Sequence, residues 1–97
     1  MTNLNEIKSL VEKLAPEYNI KRVNLFGSYA EGRATDNSDI DLLVEYHQTP
    51  SLLKLLGFKN RMQDALKKTV DIVRYPINQD NLYYRNFKIG KEIPLYG

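Results

Sequence analysis

The chain has no cysteine, a single histidine (His47) and no apolar stretch long enough to cross a bilayer. Without cysteine there is no disulfide scaffold, no thiolate zinc site and no cysteine nucleophile. One histidine excludes His-rich metal sites and two-histidine zinc motifs. A membrane helix needs roughly 20 apolar residues in a row, and the longest apolar run, 52–58, is broken by Lys54 and Gly57. The N-terminus carries Glu6 and no long apolar segment, so it does not read as a secretory signal, and the expected compartment is the cytoplasm. What is present suits an ordinary globular domain: 42% hydrophobic and 27% charged residues, a balance that excludes disordered, collagen-like and low-complexity chains. At 97 residues such a chain buries somewhat above roughly 60% of its unfolded surface, enough for one modest core. A single domain over 1–97 is expected.

Charge is unevenly placed. Residues 1–50 hold five Lys/Arg and eight Asp/Glu, net −3, while 51–97 hold nine and four, net +5. This is not the one-sided basic balance of a dedicated nucleic-acid binder. It suits a site where carboxylates hold a cation and a basic surface attracts an anion, though two differently decorated solvated surfaces would read the same way.

Periodicity supplies the elements. Leu4, Ile7, Leu10, Val11 and Leu14 fall at helical spacing, with Asn3 or Asn5 as N-cap and Pro16 closing the pattern, which predicts a helix over 4–15. Residues 21–26 predict a strand that stops at Gly27, followed by one helical turn over 28–31 and a turn cluster over 35–38. Residues 39–46 predict a strand with Ile40, Leu42, Val44 and Tyr46 on one face and Asp39, Asp41, Leu43 and Glu45 on the other. Thr49 and Pro50 suit the cap and first turn of a helix over 51–67 with Leu52, Leu55, Leu56, Met62 and Leu66 inward, kinked or broken at Gly57. A strand over 69–74, a weak helix over 79–88 and an extended tail over 92–96, set at an edge by Pro94, complete the order. The fold class is α/β (α+β): a small mixed β-sheet with helices packed on it.

Asp39 and Asp41, two apart on a strand, project from the same face, and Asp71 stands opposite the aliphatic face of the next strand. Side by side, those strands would gather three carboxylates, the hard oxygen donors that suit Mg²⁺ together with water and substrate phosphates. Two such ions would activate an attacking hydroxyl and neutralise a transferring phosphoryl group. Alone, an Asp-x-Asp is weak: Asp39 could be a turn residue and Asp71 a solvated one. The pattern around it adds weight. Gly27 at a strand end lets backbone N–H groups approach a phosphate, and the Ser28 hydroxyl can donate to the same oxygens.

Gly27, Ser28, Asp39, Asp41 and Asp71 together resemble the signature of the DNA polymerase β-like nucleotidyltransferase superfamily. The run GSYAEGRATDNSDIDLLV with the later VDIV is similar to its minimal nucleotidyltransferase branch, whose members are typically encoded beside a HEPN-domain RNase toxin and act as its antitoxin. The resemblance is tight over 23–46 and clear again over 69–74. It implies a nucleotidyltransferase fold, with Gly27 and Ser28 on the triphosphate and Asp39, Asp41 and Asp71 as catalytic metal ligands for Mg²⁺, two ions being expected. It also implies transfer of a nucleoside monophosphate, AMP from ATP before other NTPs, to a hydroxyl, with a tyrosine of the partner HEPN toxin as acceptor. One departure stands out: the branch commonly has Ala-Arg-Gly after the Gly-Ser, and here Ala30 is followed by Glu31, Gly32 and Arg33. Either Arg33 substitutes for the missing base or it makes a surface ion pair.

The rivals fail on spacing. A calcium loop read from Asn37 would need glycine where Leu42 stands and glutamate where Gln48 stands. There is no Walker Gly-Lys-Ser/Thr, and Ser28 with His47 has no triad spacing. Tyr83, Tyr84, Arg85, Asn86, Phe87 and Lys88 interleave aromatic and basic residues as nucleic-acid surfaces do, but Tyr83 and Phe87 docked into a core, or a partner interface, account for them as well. Direct nucleic-acid binding is therefore not expected. The alternative to an enzyme is a non-catalytic antitoxin that silences its partner by complex formation. A chain this short also leaves little room for an acceptor pocket, so a partner or a second copy is expected to complete the site.

Overall fold

The computed structural model describes residues 2–75 and 90–97. Helix α1 spans Leu4–Leu14, a 3₁₀ turn follows at Ala15–Tyr18, and then come β1 (Ile20–Phe26), β2 (Ile40–Tyr46), α2 (Leu52–Leu66), β3 (Val70–Tyr75) and β4 (Ile93–Tyr96). The strands form one mixed sheet in the order β3-β2-β1-β4. β1 is antiparallel to β2 and to β4, whereas β2 and β3, joined through α2, are parallel. The expected α/β class and most element positions hold, and Pro94 sits on an edge strand as its missing N–H requires. The expected helix over 79–88 and the aromatic–basic run within it lie outside the described residues.

The strand alternation decides which face is covered. Val23 and Leu25 of β1, Ile40, Leu42 and Val44 of β2, Val70 of β3 and Leu95 of β4 join Ile7, Val11 and Leu14 of α1 and Phe58 and Met62 of α2 in one buried cluster. Each fully buried side chain of this size contributes about 1.5–3 kcal/mol relative to exposure. On the other face, Phe26, Leu43 and Val73 are buried outside that cluster. Asp41 and Asp71 share this second face.

The helices depart from expectation chiefly in α2. Asn3 caps α1 as expected, its Oδ1 accepting from the Glu6 N–H at 2.9 Å. Pro16 closes the α-helix as expected, α1 ending at Leu14, and takes one of the first positions of the 3₁₀ turn, where a missing N–H costs nothing. The cap of α2 is Ser51, whose Oγ accepts from the Lys54 N–H at 3.2 Å, rather than Thr49. The expected inward face of α2 is wrong in its first turns: Leu52 is 68% and Leu56 45% exposed, with Leu53 at 84%.

The reason lies at Gly57, where the helix runs on unbroken. A Cβ there would come within 2.8 Å of Tyr18 Cε1. The glycine thus admits the Tyr18 ring, which meets Phe58 edge-on at 5.8 Å, and α2 docks through Phe58 and Met62 instead of its leading leucines. Gly57→Ala is therefore expected to lower stability by about 1 kcal/mol, where a free helix position would gain about as much. Thermal denaturation against the wild type checks the sign.

Candidate active site

Topology brings the chemistry to one end of the sheet. β1 runs antiparallel to β2, so its C-terminal end, Phe26 and Gly27, reaches the start of β2; β3 is parallel to β2, so Asp71 starts there too. The register sets Phe26 opposite Asp41 and Asp41 opposite Asp71, and neighbouring strands lie roughly 4.8 Å apart. Asp39 immediately precedes β2 and is exposed. Asp41 and Asp71 are thus cross-strand neighbours on the face opposite α1 and α2, with Asp39 just before β2 and Gly27 and Ser28 in the turn just after β1.

Asp41 carries the electrostatic signature of the arrangement. Burial lifts its carboxyl from 3.8 to about 6, and the negative charges of Asp71 and then Asp39 push the same way. Gly27 has a left-handed φ of 74° and lies so close that any Cβ would collide with Asp41 Oδ2. Glycine is the residue that satisfies both conditions at once. Beyond it the chain makes one turn, the Glu31 N–H donating to Gly27 O (3.1 Å) and the Arg33 N–H to Ser28 O (2.9 Å). Arg33 turns to Glu31, Nη2 to Oε2 at 3.0 Å, in an ion pair open to water.

The end of the sheet is held by contacts the sequence did not advertise. The Ile40 N–H donates to Thr69 O (3.0 Å), and the Val70 N–H donates to Gln63 Oε1 (3.0 Å). The turn before Asp39 is closed by the Ser38 N–H on Thr35 O (3.0 Å) and by the Thr35 N–H on Ser38 Oγ (2.8 Å). Lys68 Nζ donates to Asp36 O at 2.6 Å. In the sequence Gln63 is only a polar helix position, and Lys68 only the polar opening of a strand. No local pattern marks a side chain that bonds backbone across the fold.

The donor set fits a hard divalent cation in one specific sense. Among the described residues no three acidic or histidine side chains close around a single point. Mg²⁺ asks for less, one or two carboxylates with water and substrate phosphates completing the shell. A cation beside Asp41 would offset the burial, and the negative charges of Asp71 and Asp39, that raise its pKa. Among the described residues the place is a ledge on which Asp39 and Asp71 are exposed; a cavity of about 200 Å³ near Tyr18, Tyr46, Ser51 and Lys54 lies at the other end of β2. Any enclosure of the carboxylates must come from another molecule or from residues not described.

The family described as "Polymerase beta, Nucleotidyltransferase" matches residues 5–95. A candidate protein adenylyltransferase of Methanocaldococcus jannaschii is 40% identical over 77 residues, spanning 75% of this chain and 79% of that one. Protein adenylyltransferase MntA of Thermococcus cleftensis is 34% identical over 77 residues, spanning 75% and 78%. Among solved structures, a complex of tri-AMPylated Shewanella oneidensis HEPN toxin with MNT antitoxin superposes with a TM-score of 0.64 at 20% identity, over 96% of this chain and 71% of that one. At that identity the superposition bears on the fold.

Proposed function

Because the chain belongs to the polymerase β nucleotidyltransferase family, and within it to the protein adenylyltransferases, we propose that it moves AMP from ATP to a tyrosine hydroxyl of a HEPN-domain RNase toxin and so acts as that toxin's antitoxin. One observation carries the reading: Asp41 and Asp71 stand opposite each other in a parallel pair, with Asp41 held near pKa 6 and Gly27 against its carboxylate. A half-buried carboxylate beside a second one is costly to a purely structural sheet end and useful to a cation site.

The roles follow from position. The Gly27 N–H and the Ser28 hydroxyl would hold triphosphate oxygens at the left-handed turn. Asp39, Asp41 and Asp71 would hold Mg²⁺, two ions being part of the proposal, and the metal would supply charge neutralisation on the triphosphate and a more acidic acceptor hydroxyl. Asp71, exposed at the edge of the ledge, would take the proton as the hydroxyl oxygen bonds to the α-phosphorus and the bond to pyrophosphate breaks. An acceptor that arrives on a partner's surface suits the exposure of Asp39 and Asp71.

The test is label transfer. With Mg²⁺ and α-labelled ATP, the wild-type chain should label one partner protein, and Asp39→Asn/Asp41→Asn should label none. Equal signals from both, with the fold verified, would overturn the enzymatic reading. Silencing by complex formation alone has one observation in its favour. Leu52, Leu53 and Leu56 form an exposed apolar strip on α2, remote from the carboxylates. That reading predicts that the double variant still neutralises its partner.

A further inference from the structure

Asp39 is placed by a segment with little packing of its own. Asp39 follows the exposed turn 35–38, and that turn has no buried side chain to anchor it. Its internal hydrogen bonds shape the turn but do not tie it to the sheet. What ties it is Lys68. From the residues just before β3, its ammonium reaches back 32 positions in sequence to Asp36 O at 2.6 Å. Beside it, the Ile40 N–H bonds Thr69 O at 3.0 Å, so the approach to β2 and the approach to β3 are stitched at two points. Lys68 is partly buried, so its stem is held along the protein rather than swinging in water. A charge-assisted bond from a held ammonium to a backbone carbonyl is among the stronger kinds available to a turn.

We infer that Lys68 is a positioning residue: by clamping the Asp36 carbonyl to the head of β3 it fixes Asp39 relative to Asp41 and Asp71, and thereby sets divalent-cation affinity. The inference rests on the proposed metal-dependent reading and concerns the same site. In this role Lys68 acts through the Asp36 carbonyl rather than as a metal ligand. The charge of Lys68 separates positioning from plain electrostatics, because the two differ in direction. Removing a positive charge from the protein should, by Coulomb interaction alone, leave Mg²⁺ binding unchanged or tighter. Loss of the clamp should weaken it.

The experiment uses the full chain with Lys68→Met and Lys68→Arg, reading Mg²⁺ affinity by calorimetric titration and amide hydrogen exchange without metal. Lys68→Met is expected to weaken Mg²⁺ binding by about three- to tenfold and to speed exchange at Ser38 and Ile40 by about tenfold, as losing a bond from a charged donor would. Exchange at Val11 in α1 should stay unchanged. Lys68→Arg should bring both readouts back to within about twofold, because a guanidinium can donate to the same carbonyl. Unchanged or tighter Mg²⁺ binding in Lys68→Met overturns the inference. So does weaker ATP binding with unaltered Mg²⁺ affinity and exchange, which would make Lys68 a phosphate contact. If Lys68→Met melts the chain, Lys68→Gln carries the same readouts. Expected shifts in a wild type that labels no acceptor would sink the transferase reading and leave this one standing; intact labelling with an indifferent Lys68→Met would do the reverse.

Discussion

Asp41→Asn is expected to abolish nucleotidyl transfer and, at neutral pH, to make the chain more stable. The loss follows from the proposed site: removing the central carboxylate forfeits several kcal/mol of charge stabilisation, or about 10³-fold in rate. The gain follows from the raised pKa. Asp41 titrates near 6 when folded, against 3.8 ordinarily, because of burial and then Asp71 and Asp39. Below about pH 4 the carboxyl is protonated in both states and costs nothing. Between 4 and 6 the folded chain binds more protons than the unfolded one, so stability falls as pH rises, and above 6 the cost is complete. The full shift would correspond to about 3 kcal/mol. The carboxylate stays open to water on one side, however, which screens it, and about 1 kcal/mol is the expected cost. Asn carries no such charge. Chemical denaturation should therefore give Asp41→Asn about 1 kcal/mol over the wild type at pH 8 and no advantage at pH 4. Mg²⁺ should narrow the gap at pH 8 by binding the folded wild type only. A variant less stable than the wild type at pH 8 would mean that the carboxylate is structural.

Gly27→Ala is expected to cost both activity and stability. A φ of 74° is left-handed, which charges an L-residue about 1–2 kcal/mol. The new methyl would also occupy the space of Asp41 Oδ2, with Asp41 Cγ at 3.1 Å. Either the turn unwinds or the carboxylate is displaced, and a misplacement of about 1 Å costs on the order of 10²-fold in rate. Labelling rates and melting temperature should fall together. Ser28→Ala, which leaves this geometry alone, should melt like the wild type. A fully active Gly27→Ala would show that the close approach of Gly27 to the carboxylate is not needed for transfer.

The face on which Asp41 lies was legible, because a strand's period of two fixes the side of every residue once Ile40, Leu42 and Val44 are assigned to the core. Its alignment with Asp71 was not, since parallel pairing is a long-range choice that no local pattern encodes. The inward face of α2 was misread for a related reason. Periodicity ranked its leucines, but the docking point was chosen by Tyr18 settling against Gly57, a contact between distant segments. Phe58 was missed and Leu52 overvalued on the same account. Pro16 marked the end of α1 correctly, but the 3₁₀ turn that it enters was not legible, since a proline that stops an α-helix is equally at home in the opening of such a turn. Lys68 and Gln63 could not be found at all, as each bonds a backbone group whose position only the fold supplies.

The mixed sheet also bears on the order in which the protein comes together. β1 and β2 can pair once residues 27–39 have folded back as a hairpin connection, but β3 can join β2 only after 47–69, with α2, has crossed over the sheet. Closing the longer connection is the slower event. Until that connection closes, Asp41 has no Asp71 opposite it and the turn before Asp39 lacks its bond to Lys68. With the proposed metal site, competence to bind the cation therefore waits on the pairing of β3 with β2.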